Sequence, residues 1–392
     1  MGALDGIKVL EAGLLVQGPQ ASATLCEWGA DVIKVELPGF GDQARWLPLA
    51  ADDPRSGFYI GVNRGKRSVT VDLRHADGRE VFLRLAEWAD VVITNFAHGT
   101  MEEWGLGYDA VAARNPGIVY AAGTTFGFDG PEARREGADL SAQSAGGLIS
   151  TTGRDGGEPT TIGVAIADHI ASQNLVGGIL AALLARQRTG KGQRVTTSLV
   201  GSQIWAQASE YTAQLLQGHP AGRANRSHPL IPGIYGIFPT SDGWIAIVGI
   251  VASLRAKFYD VIGRPDLGEK FPDLFYWEDD KAALFPELDA AFRTATTAEW
   301  CERMRAAGLR HAPVRNHAEV VADPTAWEQG FFRTVDGPNG PEDVVAAPVV
   351  FSDTPAVSPA FAPELGQHTE EVLLELGFEW EEIARLKDAG AI

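Results

Sequence analysis

Only two cysteines occur in the 392 residues, Cys26 and Cys301, and most of the chain separates them. That excludes a disulfide framework and any cysteine-built metal cluster. Basic residues are also scarce: Lys plus Arg number 33 against 51 Asp plus Glu, a net charge of −18. A chain this acidic is not built to bind nucleic acid or an anionic membrane broadly, so an anionic ligand has to find a local basic patch. Long apolar runs are missing too. The longest, Leu175 to Ala185, falls short of the roughly 20 residues that span a bilayer. The opening residues, MGALDGIKVLEAG, carry an early Asp and no apolar core of signal-peptide length. There is no internal repeat and no low-complexity segment. The expectation is a soluble, cytoplasmic protein without nucleic-acid, membrane or metal partners.

Apolar residues make up 45 % of the chain, enough for sizeable cores, and the length suits two domains. Residues 7–36 read strand, helix, strand (IKVLEAG, PQASATLCEWG, ADVIKVE), a βαβ opening of an α/β domain. The loop between, Leu14 to Pro19, lacks the GxGxxG fingerprint. This argues against a nicotinamide cofactor, although Glu36 ends the second strand where a ribose-binding acid would sit. Further strands are predicted at Ser68–Leu73, Asp90–Thr94, Gly117–Thr124 and Gln193–Val200, with helices at Asp77–Trp88 and Ser202–Leu216. The stretch 218–232, rich in Gly, Pro, Arg and His, reads as a linker closing a first domain over 1–217. Strands at 233–238 and 244–249, then helices near 253–262, 281–293 and 298–307, predict a smaller α+β domain over 233–322. The remainder, 323–392, holds two short helices, with Thr369 placed to cap the first.

The chemistry-bearing stretch is Thr160 to Val200. A small-residue approach leads to one acid, Asp168, followed by apolar residues at helical spacing from Leu175 to Leu184, basic residues at 186 and 188, and glycines at 190 and 192. Asp168 therefore stands at a helix start, where free N–H groups and the helix dipole favour a negative charge. The simplest role for such an Asp is an N-cap. His169 beside it points about 100° away on a helix and reads as structural. Asn63 to Ser68 (NRGKRS) is the densest basic cluster, either a solvated turn or a face for phosphates. Asn95 and Phe96 follow a buried strand, where open α/β sheets bind ligands.

Six motifs recur in order: GADVIKVE with PGFGD (29–42), NRGKRS (63–68), ADVVITNF (89–96), GADLSAQSAGG (137–147), ADHIAS with TGKGQRV (167–195), and PELGQHTEEVLLELG (363–377). Through them nearly the whole chain resembles the family III CoA-transferases, which include formyl-CoA:oxalate and carnitine CoA-transferases, with α-methylacyl-CoA racemase as a relative. The resemblance implies a doubly wound large α/β domain made from both chain ends, with 323–392 returning to it. It also implies a smaller inserted α+β domain and an interlocked homodimer. It makes acyl-CoA and a free carboxylic acid the partners, with coenzyme A carried as the substrate and no metal. Asp168 falls on the family's nucleophile, which attacks a thioester to give an aspartyl anhydride and then an aspartyl-CoA thioester, and which is expected to stay ionised. CoA contacts carry over to Val16 and Gln17, to Val71, Asp72, Leu73 and Arg74, to Asn95, Phe96 and Ala97, and to Gly137 and Ala138.

Some positions depart from the pattern. Leu37, Glu103 and Glu136 stand where the oxalate enzymes carry basic residues or a His, leaving Arg45, Arg64, Lys66, Arg134 or Arg135 to meet the CoA phosphates. The oxalate enzymes' glycine-rich loop has no counterpart; residues 227–238 read SHPLIPGIYGIF instead. An acceptor other than oxalate follows. Two rival readings are an acyl-CoA racemase and an inactive CoA-binding subunit. The racemase places a His at the position of Ala138 and a Glu near Val251, and this chain has neither.

Overall fold

The computed structural model describes residues 2–357 and 360–392. The chain forms two compact units. One gathers the residues up to Gly146, then Gly163–Ala206 and Pro324–Ile392; the other gathers Gly147–Ile162 and Gln207–Asp323.

In the first unit, short Val/Ile-rich runs form six strands: β1 Lys8–Ala12, β2 Asp31–Glu36, β3 Arg67–Thr70, β4 Val91–Thr94, β5 Val119–Thr124 and β6 Gln193–Ser198. They pair in the order β3-β2-β1-β4-β5-β6, every pair parallel. The inner strands β1, β2, β4 and β5 are covered on both faces, hence their largely apolar character, while the edge strand β6 is polar and has no buried residue. Val9 stands beside Val32 and Val91 in register, and Leu10 beside Ile33 and Val92. The first set packs under the helices Gln17–Glu27 and Ile166–Thr189. The second packs under Ala76–Trp88 and the two C-terminal helices Thr369–Glu375 and Trp380–Asp388. The sheet is thus doubly wound, and its strand order reverses between β1 and β4, which opens a crevice at their carboxyl ends.

The second unit carries the antiparallel strands Ile234–Pro239, Trp244–Ile250 and His311–Pro313. Its core is aromatic: Phe238 stacks on Phe292 at 5.3 Å, and Trp300 meets Phe292 edge-on at 5.1 Å. This unit also takes in the helix Ala208–Gln217 and residues 147–162. The run predicted as one helix over 202–216 is two, Leu199–Ala206 and Ala208–Gln217.

Thr369 does not cap its helix; His368 holds that position. The Thr369 hydroxyl instead accepts from the Thr70 N–H at 3.0 Å and donates to Gly366 O, which fastens the C-terminal segment to β3. Among the described residues no helix is long and apolar enough to cross a membrane.

Candidate active site

The chain leaves β1 through Gly13-Leu14-Leu15 and enters the helix Gln17–Glu27. Leu15 has φ +61°, a conformation costly for a residue with a branched side chain. Hydrogen bonds hold this turn from both sides. Asn95, just past β4, accepts the Leu14 N–H at 2.8 Å and donates to Leu14 O at 2.9 Å. Asp42 accepts the Leu15 N–H at 2.9 Å, and Lys34 donates to Gly13 O at 3.0 Å. Only glycine fits at 18, because a Cβ there would lie 2.9 Å from the Asn95 amide oxygen.

A buried ion-pair cluster supports that turn. Lys34 bridges Glu11 (2.7 Å) and Asp42 (2.8 Å), and Lys66 reaches Glu11 at 2.6 Å, all with fully buried side chains. Burial alone would raise the Glu11 carboxyl, but Lys34 and Lys66 outweigh it and hold it at about 2. Burial brings the Lys66 ammonium down to about 8 despite Glu11. The NRGKRS cluster is therefore internal architecture. Lys66 is spent on Glu11, Pro19 O and Asn63, and Arg64 pairs with Glu27. Arg45 is committed likewise, bidentate to Glu36 at 2.8 Å. None of these three is free for phosphate, and Glu36 is engaged by Arg45 and Ser68.

Asp168 lies in the first turn of Ile166–Thr189, half-buried, and is not its N-cap; that position is Ala165. The missing cap comes from another element. Asp139 Oδ1 accepts the N–H of Ala167 at 2.7 Å and of Asp168 at 3.4 Å, while its Oδ2 accepts from Gln143 at 2.6 Å. Desolvation pushes the Asp168 carboxyl up to about 7, and the neighbouring Asp139 charge adds to the rise. Burial and the second carboxylate thus act against the ionised form that a helix start favours. His169 holds the Gln20 amide oxygen through Nδ1 at 2.6 Å, and burial lowers its pKa.

Asp168 shares one cavity of about 260 Å³ with Gln17, Asn95, Phe96, Ala97, Gly137 and Ala138. A second of about 260 Å³ is lined by Val71, Asp72, Leu73 and Arg74, and both include Leu14, Gln43 and Phe96. Cofactor-sized sites run to roughly 300–1,000 Å³, so the pair suits one extended ligand. Val16 lines neither cavity; it is buried at the N-terminal end of its helix. The oxygen and the Nδ2 of the Asn95 amide each bond Leu14, so Asn95 holds the turn and shapes the wall. Arg74 is exposed and paired with Asp72 at 2.8 Å.

Gln17 is only 3 % exposed, and its Nε2 has no partner among the described residues. Its side chain lies over Gly123, where a Cβ would meet it at 2.5 Å. Such an unspent donor in a cavity is ready for a ligand oxygen. His98 Nδ1 is likewise buried and unpartnered in the Asp168 cavity. Sequence reading missed His98, Asp139 and Gln43; the only pointers were a histidine just beyond a strand end and an Asp just inside a motif.

A family model described as CoA-transferase family III matches residues 4–369. The chain is 34 % identical to succinyl-CoA:mesaconate CoA-transferase of Haloarcula marismortui, over 96 % of this chain and 97 % of that protein. It is 31 % identical to human succinyl-CoA:glutarate CoA-transferase, over 99 % and 90 %. The crystal structure of a CAIB/BAIF family protein from Brucella suis superposes with a TM-score of 0.84 at 32 % identity, covering 96 % of this chain and 99 % of that one.

Proposed function

The chain belongs to CoA-transferase family III and is an acyl-CoA:carboxylate CoA-transferase; on that premise we propose that Asp168 is its nucleophile. One Asp168 oxygen attacks the thioester carbonyl, the C–S bond breaks, and CoA leaves as thiolate from an acyl–aspartyl anhydride. The thiolate then attacks the Asp168 carbonyl, releasing the donor acid and leaving an aspartyl-CoA thioester. The acceptor carboxylate displaces CoA from that thioester, forming a second anhydride. CoA thiolate attacks the acceptor's carbonyl in turn, which frees the new acyl-CoA and regenerates the Asp168 carboxylate. Every proton balance closes without a base, which suits a site whose Ala138 carries none.

The observation that carries this reading is the half-buried Asp168 in one cavity with the unspent Gln17 Nε2. Gln17 serves as side-chain donor to the oxyanion of each tetrahedral intermediate. CoA runs through the two cavities, past Phe96 and along Val71–Arg74. Arg74, Arg134 and Arg135, all largely exposed, supply charge for its phosphates. The relatives' names support a short dicarboxylic acid as acceptor and succinyl-CoA as the first donor to assay. The enzyme acts as a cytoplasmic homodimer, with the second unit as the smaller inserted domain.

The test is trapping. Acyl-CoA plus hydroxylamine should leave a hydroxamate on the Asp168 peptide, detected by mass spectrometry. Asp168→Ala should lose at least about 10³-fold in kcat while CoA binding changes only a few-fold. A variant that keeps a tenth of kcat removes Asp168 from the nucleophile's place.

A further inference from the structure

We propose that Asp139 is the positioning residue of the nucleophile, a second carboxylate that both fixes the first turn of the Asp168 helix and keeps that turn's N–H groups from lowering the basicity of Asp168. The inference rests on Asp168 being the nucleophile. Its basis is geometric. The helix Ile166–Thr189 has no cap of its own: Ala165 offers no side-chain oxygen. Its leading N–H groups are satisfied from 28 residues away, by Asp139 Oδ1 at 2.7 Å from Ala167 N and 3.4 Å from Asp168 N. The Asp139 carboxylate is itself aimed by Gln143, one turn along its own helix, at 2.6 Å.

That arrangement has an electrostatic consequence. Free N–H groups at a helix start would stabilise an Asp168 anion and lower its basicity. Asp139 spends those groups on itself and adds a like charge beside Asp168. Other charged or titratable groups around the cavity are Arg135 and Glu136 on the 133–138 loop and His98 beyond β4. His169, on Asp168's own helix, faces Gln20. Of these, Asp139 is the one whose charge acts on Asp168, after desolvation. A more basic carboxylate is a better nucleophile toward a thioester, in the Brønsted sense. A cap made of an uncharged residue would fix the helix as well but would forfeit this.

The experiment compares Asp139→Asn and Asp139→Ala with wild type in kcat/KM against pH, thermal melting and hydroxamate trapping at Asp168. Asn keeps an acceptor for the Ala167 N–H and removes only the charge. Its melting temperature should stay near wild type, its acidic limb should move about one unit toward lower pH, and its alkaline plateau should fall several-fold in kcat. Ala should show the same shift of the limb together with a lower melting temperature. If Ala does not fold, the Asn profile alone decides. A limb unmoved in Asp139→Asn, with hydroxamate still formed, overturns the inference and leaves Asp139 a cap. Absence of hydroxamate in wild type overturns the Asp168 reading first, and this inference with it.

Discussion

A carboxylate that attacks a thioester must be ionised, yet the water it sheds on burial is what keeps it ionised. Asp168 sits at that balance point, with burial first and Asp139 second raising it to about 7. Since only the anion attacks, kcat/KM should rise with pH through about 7 and level off above it. The same shift affects folding in the opposite sense. Between its ordinary value of 3.8 and about 7 the native carboxyl holds a proton that the unfolded one has lost. Stability contributed by this group therefore falls as pH climbs through that window. Asp168→Asn, which never ionises, should be more stable than wild type above pH 7, by up to about 4 kcal/mol. The gain should vanish below about pH 4. Chemical denaturation at pH 8 and pH 4 checks this; equal stabilities at both would mean that the site does not strain Asp168. An inactive variant that outlasts its parent is the usual signature of a group held against its own solvation.

At the scale of elements, the site depends on one turn between β1 and the following helix, and that turn depends on a buried lysine. Lys34 joins Glu11, Asp42 and Gly13 O. Lys34→Met would leave two buried carboxylates without that cation, at a cost of about 3–5 kcal/mol in urea unfolding. It would also release Leu15 from its φ of +61°, raising KM for acyl-CoA more than it lowers kcat. An unchanged urea midpoint would contradict this account. The strands themselves were readable, because parallel strands buried on both faces are written as compact Val/Ile runs, as in Val91–Thr94. The placing of Asp168 at a helix start was readable as well, from the small-residue approach before it. The Glu11–Lys34–Lys66 cluster was not, since Glu11 lies on β1, Lys34 on β2 and Lys66 just before β3, and only the β1–β2 and β2–β3 pairings bring them together. For the same reason Arg64 and Lys66 read as a phosphate face when the fold buries them. Capping by Asp139 was invisible too, because sequence-based capping rules look only to the preceding residues of the same helix. Thr369 shows the converse failure: the local rule was met, and β3 claimed the hydroxyl instead.

At the scale of the whole molecule, each unit has its own core, yet large apolar side chains stand in water. Trp205 is 73 % exposed in the first unit, and Leu215 and Leu216 are 83 % and 81 % exposed in the second. Single exposed apolar residues are ordinary on a soluble surface, but adjacent leucines this open at the end of a helix are not. The proposed homodimer would cover the two leucines, and a stable one buries at least about 1,200 Å² in all. Sedimentation equilibrium at micromolar concentration should then return twice the chain mass of 41.9 kDa. Leu215→Glu with Leu216→Glu should shift the material toward monomer, because each buried carboxylate adds a desolvation cost that nothing in the patch repays. The charge penalty predicts a further dependence: dissociation of that double variant should be promoted by raising pH from 4 to 8, as the two glutamates ionise. A wild-type chain that sediments as monomer across this range would remove the dimer from the description of this enzyme.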